Sequence, residues 1–317
     1  MYYSITHRTR YKYSSPITEN MTEVRMNPRS DGYQRCLRFE LAVSPHARHY
    51  RYVEASGNIV HYFDIPGRHS QLAITAEAVV EVHPPPKLPE RMSEEGWKEI
   101  DFLAHTTDAY DMLLPGELTQ PSPRLRDFMV AIDARRRDDP LTVIRHVKRS
   151  IYESFQYMPQ STDVDSHIDE TLTNGKGVCQ DFSHIMLAIL RELGMPARYV
   201  SGYLYHAGTT NGRSSPDASH AWVEVLLPEY GWVGFDPTNN MLGDGRHIRV
   251  AIGREYSDVT PTRGVFNGEA KSTLQVEVKV SQLAFPPPSE ELEAAVTNPW
   301  LVENMGLADL QQQQQQQ

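Results

Sequence analysis

Cysteine is scarce in this chain: Cys36 and Cys179 are the only two among 317 residues. Two thiols form one disulfide at most, and with no secretory signature both are expected to be free in a reducing compartment. Positive charge is also short. The 31 Lys and Arg stand against 41 Asp and Glu, a formal net charge of -10. That balance excludes the concentrated basic face of a nucleic-acid binder, and Arg135 to Arg137 is too brief a run to supply one. No apolar stretch approaches the length of a membrane span, and the opening "MYYSITHRTRYKY" alternates polar and aromatic residues where a signal peptide would be uniformly apolar. The expectation is a cytoplasmic protein with no membrane partner. There is no internal repeat. Metal ligands at diagnostic spacing are missing too: "STDVDSHIDE" lacks the central glycine and ligand spacing of an EF-hand loop, and His46 with His49 has no matching second pair. No metal and no cofactor are expected.

What is present fits a compact α+β protein. Hydrophobic residues make up 39% and are spread along most of the length, and 317 residues suit two domains. From Tyr2 to Val82, alternating segments such as "YYSITHRTRYKY", "CLRFELAVSP" and "SQLAITAEAVVEV" predict antiparallel strands, with "SGN" at 56–58 as a hairpin turn. "HPPPKLPE" from His83 ends the ladder, because proline has no donor and a fixed φ. The chain therefore divides into a β-rich domain at 1–90, a linker at 91–120, a core at 121–285 and a tail at 286–317. The tail ends in seven glutamines and reads as disordered.

Within the core, "DDPLTVIRHVKRSIYESF" has Asp139 as N-cap, Pro140 at the first helical position and a stripe of Ile144, Val147, Ile151 and Phe155. The segment "GKGVCQDFSHIMLAILRELG" at 175–194 is more strongly patterned. Phe182, Ile185, Met186, Ile189, Leu190 and Leu193 repeat at helical spacing, and Gly194 with Pro196 stops the helix. Cys179 falls at its start. Free backbone N–H groups and the positive end of the macrodipole stabilise a thiolate there and can donate to a developing oxyanion. Gly175 and Gly177 would let a substrate backbone approach.

A nucleophile needs a base, and the base needs an orienting group. In "SHAWVEV", strand alternation puts His220, Trp222 and Glu224 on one face; in "GWVGFDP" it groups Trp232, Gly234 and Asp236. If the two strands form a hairpin across "LPEYG", Asp236 can accept from the His220 ring. Asp181 is read as a first-turn acid favoured by the dipole, and His184, about 140° round the helix from Cys179, as pointing elsewhere. Glu224 pairs with a buried cation or a bound amine, or is simply a solvated strand residue.

The pieces "GKGVCQDFSHIMLAILRELGMPARYVSGYL" and "SHAWVEVLLPEYGWVGFDPTNN", in that order, resemble the core of the transglutaminase-like superfamily, and the opening strands with "VRMNPRS" resemble the β-rich domain that accompanies that core in bacterial proteins. The resemblance implies a papain-like fold with Cys179 as nucleophile, His220 as general base and acid, and Asp236 as orienting carboxylate. It also implies a thioester acyl-enzyme formed from a peptide or protein amide, resolved by water (peptidase or isopeptidase) or by an amine (transglutaminase). Tyr157, Gln180 and Trp222 are candidates for a second oxyanion donor. The glutamine tail as the enzyme's own acyl donor is the less favoured reading, and a peptide-modifying enzyme partner is conceivable from the family's habits. The alternative is a catalytically idle scaffold that binds peptides or proteins in the same cleft.

Overall fold

A computed structural model describes residues 1–207, 213–215 and 218–286. The glutamine run, the amphipathic stretch at 290–306 and most of the 206–218 loop lie outside these residues. Alternation organises the first half. In β1 (Tyr2–Val24), Tyr3, Ile5, His7 and Thr9 are buried while their neighbours are not. After β2 (Gln34–Ser44) and β3 (His49–Val53), the turn at 56–58 leads into β4 (Ile59–Ile65), with Gly57 at φ +78° as a hairpin turn requires. β5 (His69–Val82) then runs antiparallel to the first half of β1, pairing Ile5 with Ala78, while β4 pairs with its second half. The resulting order is β2-β5-β1-β4-β3.

The prolines at 84–86 end that ladder. In the segment 91–120, α1 (Gly96–Leu103) and α2 (Thr107–Tyr110) form, and α1 buries Ile100 in the core of the second half. α3 (Pro123–Ala131) is capped by the Ser122 hydroxyl, which accepts from Leu125 N at 3.1 Å. Asp139 caps α4 (Pro140–Ser154) by accepting from Thr142 N, also at 3.1 Å. A two-residue strand β6 (Gln156–Tyr157), α5 (Ile168–Asn174) and a second short strand β7 (Lys176–Gly177) lead into α6 (Cys179–Glu192). Apolar periodicity predicts one buried stripe on α6, but every residue from Gln180 to Arg191 is buried. The helix lies between α4 and the second sheet and so has no solvent face. Burying Phe182, Ile185, Ile189 and Leu190 contributes about 2 kcal/mol each.

That second sheet contains β8 (Ala197–Leu204), β9 (His220–Leu227), β10 (Gly231–Asp236), β11 (Met241–Leu242) and β12 (His247–Gly253) in the order β11-β10-β9-β8-β12, all antiparallel. After α7 (Tyr256–Val259), β13 (Thr262–Asn267) and β14 (Ser272–Leu283) return to the first sheet and pair with β1. The stretch 262–283, grouped by sequence with the core, thus hydrogen-bonds with the opening strand. Tyr3, Ile5, Val80 and Val278 of the first sheet share a hydrophobic cluster with Tyr203, Ile248 and Val250 of the second. The two halves meet through packed side chains.

Candidate active site

The start of α6 is built locally. β6 and β7 form a parallel bridge, so the loop before Cys179 is tied to the end of α4 by Gln156 N to Gly175 O (2.9 Å) and Met158 N to Gly177 O (3.0 Å). The two glycines serve this loop. Gly175 ends α5 in the left-handed region at φ +69°, and a Cβ on Gly177 would lie 2.9 Å from the Asp181 carboxylate and 3.0 Å from Thr171. Asp181 turns back on the helix start, accepting from Val178 N and from the Thr162 hydroxyl, both at 2.7 Å. It caps the helix, and burial pushes its carboxyl up from the usual range. Cys179 is left half-buried at the first position, unpaired, as is Cys36.

β9 and β10 form an antiparallel hairpin with Gly234 opposite Glu224. His220, Trp222, Glu224, Trp232, Gly234 and Asp236 therefore share one face. His220 Nε2 lies 2.8 Å from Asp236 Oδ2, and both side chains are buried. Because a carboxylate only accepts, Nε2 carries the proton, which leaves Nδ1 as the other face of the ring. Nδ1 is buried and meets no partner at full hydrogen-bond geometry; the Cys179 thiol is close enough to help hold a proton on the ring. Burial alone would strip that proton. The Asp236 charge and hydrogen bond outweigh burial, Cys179 adds to them, and the imidazole is pushed up to about 10. Asp236 shows the converse: burial would raise it, but His220 and then His247 hold it well below the usual carboxylate range. Its Oδ1 accepts from the backbone N–H of Thr238 and Asn239, and the Asn239 side chain donates to Oδ2 at 2.8 Å.

His247, at the start of the edge strand β12, is the residue the sequence reading missed. Its Nε2 lies 3.4 Å from Asp236 Oδ2, its Nδ1 faces Asp244, and its ring packs edge-on to Trp222, which stacks over His220. Gly202 on β8 makes this convergence possible. It pairs with His220 on one side and Arg249 on the other, and the Trp222 ring lies 2.8 Å from where a Cβ would be. No local motif in "RHIRVAIG" marks His247, since Asp244 is its one near neighbour in sequence and the groups that make it part of the site, Asp236 and Trp222, come from two other strands. Among the described residues, His220, Asp236 and His247 form the one set with ligand atoms close enough for a metal ion, within 4.8 Å of one another. Their hydrogen bonds to one another already account for the arrangement.

His184 is buried against Tyr199 and accepts from Tyr256 N, away from the thiol. The Gln180 side chain donates one N–H to Val164 O at 2.8 Å, and Trp222 lies behind His220, on its ring face. Tyr157 stays beside the thiol, its hydroxyl pushed up to about 12 by burial first and by Cys179 second. Tyr199, which sequence reasoning passed over, is also raised by burial and then by Cys179. Glu224 is 4% exposed and pairs with Arg198 at 2.6 Å, so its partner is a buried cation.

Comparison with known proteins follows the same division. The family model described as "Transglutaminase-like superfamily" matches residues 129–237, and that of the "Bacterial transglutaminase-like N-terminal region" matches residues 3–81. An uncharacterized protein of Mycobacterium leprae is 32% identical over 283 residues, covering 88% of this chain and 98% of its own. A protein-glutamine gamma-glutamyltransferase of Pseudomonas aeruginosa is 33% identical over 123 residues, 37% of this chain and 18% of its own. Among solved structures, "a Putative Cysteine Protease from Cytophaga hutchinsonii" superposes with a TM-score of 0.72 at 21% identity, covering 90% of this chain and 93% of that one.

Proposed function

Since the chain belongs to the transglutaminase-like superfamily, we propose that it is a cysteine-dependent enzyme acting on peptide or protein amides through a thioester. The observation that carries this reading is the buried His220–Asp236 pair at 2.8 Å with the Cys179 thiol near enough to favour a proton on the same ring. In the proposed reaction the Cys179 sulfur attacks the amide carbonyl as a thiolate, and the carbon–sulfur bond forms while negative charge moves to the oxygen. First-turn N–H groups of α6 stabilise that charge. The carbon–nitrogen bond then breaks, and His220 delivers its Nδ1 proton to the departing amine. Water or a second amine attacks the thioester, gives its proton to His220, and releases Cys179. Asp236 keeps Nε2–H engaged throughout, so that Nδ1 always faces the reacting atoms.

The similarity to the Cytophaga protein is one of fold, and it fits hydrolysis. The partial similarity to the Pseudomonas enzyme fits amine transfer. We favour hydrolysis of peptide or isopeptide bonds, with chemistry up to the thioester common to both. The test presents a glutamine-containing peptide with and without a primary amine and follows ammonia release, amine incorporation and chain cleavage. Cleavage that disappears in Cys179→Ala supports hydrolysis, and amine incorporation would replace it with transfer. A protein that binds the peptide but neither cleaves nor modifies it would sink the enzymatic reading and favour the scaffold.

A further inference from the structure

The Asp236 carboxylate is over-determined for a group that only has to hold one histidine. Its Oδ2 receives His220 Nε2 at 2.8 Å, Asn239 Nδ2 at 2.8 Å and His247 Nε2 at 3.4 Å. We propose that His247 is a positioning residue for the reaction: its Nε2–H competes with His220 for one carboxylate oxygen and so sets how firmly Asp236 retains the His220 proton. This rests on the enzymatic reading above for its consequence, but not for its physics.

Geometry supports the assignment. Nε2 is the protonated nitrogen of His247 whichever state the other nitrogen adopts. Nδ1 lies 3.1 Å from Asp244 N–H, where it can accept, and 3.2 Å from Asp244 Oδ1, where a charged ring would donate. The rings of His220 and His247 are 6.2 Å apart, with Trp222 against both, so neither can reorient alone. Burial opposes a proton on His247, while Asp236 and Asp244 favour one strongly enough that the balance is raised. The other charged groups facing this row are Arg246, ion-paired to Asp244 at 2.7 Å, His206 beyond the end of β8, and Lys148 on α4, which feels the Asp236 charge. The far side of His247 and Trp222 walls a cavity of about 430 Å³ between the second sheet and the proline segment at 84–86. A small molecule can therefore reach the place of a deleted His247 side chain.

Removing the competing donor, or its charge, leaves Asp236 a stronger acceptor for His220, so His220 should hold its proton to higher pH. The test uses the full chain and needs no substrate. Iodoacetamide alkylation of Cys179 is followed against pH by mass spectrometry in the natural protein, in His247→Gln and in His247→Ala with and without added imidazole. Alkylation reports the coupled thiol–imidazole titration, whose steps belong to the pair and whose upper step follows how firmly Asp236 holds the ring proton. The expected result is an upper step displaced upward by about one pH unit in both variants. Imidazole should return it towards its natural position in His247→Ala, and His247→Gln should still unfold in a single cooperative transition. An upper step that is unmoved in His247→Gln, or that shifts only in proportion to lost melting temperature and is not restored by imidazole, overturns the assignment. Failure of amide chemistry in the natural protein would instead strike the functional reading and leave this measurement standing.

Discussion

The side-chain amide of Gln34 closes on the backbone of Arg249 with two hydrogen bonds of 2.8 Å, Nε2 to the carbonyl and the backbone N–H to Oε1. Asn58 does the same to Ile252, with both bonds at 2.9 Å. β12 is the outer strand of the second sheet, and these two amides, from the start of β2 and from the turn before β4, satisfy its free edge as a further strand would. Gln34→Ala leaves the Arg249 N–H without a partner, while the Arg249 carbonyl keeps Arg29 N at 3.1 Å, so the midpoint of urea unfolding should fall by an amount equivalent to about 1–2 kcal/mol. Because β12 begins with His247, the upper step of the Cys179 alkylation profile should broaden as well. An unchanged midpoint would show that the amides are solvated in the natural protein.

Stability should depend on pH through the His220–Asp236 pair. His220 is raised from its ordinary 6.5 to about 10, so its contribution is fully present below pH 6.5 and is lost as pH rises through about 10. Asp236 is depressed, so on the acid side the same pair contributes above the unfolded carboxyl value and is lost as pH falls through the folded one. Melting temperature measured from pH 6 to 10.5 should therefore decline, and Asp236→Ala should be less stable at pH 6 with a flatter decline. If the variant declined as steeply as the natural protein, the pair would not be the source. Under the proposed thioester mechanism, turnover by Asp236→Ala should drop by about 10³-fold or more.

Glu224 and Arg198 form a buried ion pair on the face that carries His220, and Arg198 also stacks on Trp232 at 4.2 Å. Glu224→Ala leaves a buried guanidinium without its carboxylate, at a cost of about 3–5 kcal/mol. Replacing both residues by leucine should recover part of that loss, since two desolvated charges disappear together while Arg249, 3.6 Å from Glu224, keeps its ion pair with Asp31. Chemical denaturation of the single and double variants measures the difference. A double variant no more stable than Glu224→Ala would mean that the pair contributes more than it costs.

Gly202→Ala tests the crossing point of the three rings. The added methyl would meet the backbone carbonyl of Ile248 and the Trp222 ring, and the backbone cannot yield. Trp222 should move off His220, so tryptophan fluorescence should change, stability should fall by about 2 kcal/mol, and Cys179 should lose its natural alkylation profile. A natural profile in a folded Gly202→Ala protein would show that Trp222 does not hold His220.

Local chemistry made much of this arrangement readable in the chain itself. Proline and a capping acid at Asp139–Pro140 start a helix wherever they precede an apolar stripe, and the 3.6-residue repeat after Cys179 defines α6, because each depends on neighbours within a turn. Strand alternation likewise puts His220 and Asp236 on one face as soon as β9 and β10 are hairpin partners. Tertiary structure alone decided three other matters. β13 and β14 pair with β1 from some 250 residues away, which no local pattern encodes. The role of Gly177 is set by Thr171 and Asp181 pressing on it, where the sequence suggested room for a substrate. His247 reaches Asp236 only because β12 lies outside β8 and Gly202 leaves space for Trp222 between them. Hydrogen-bond competition at one buried oxygen is a property of distances between strands, and such distances exist only once the chain has folded.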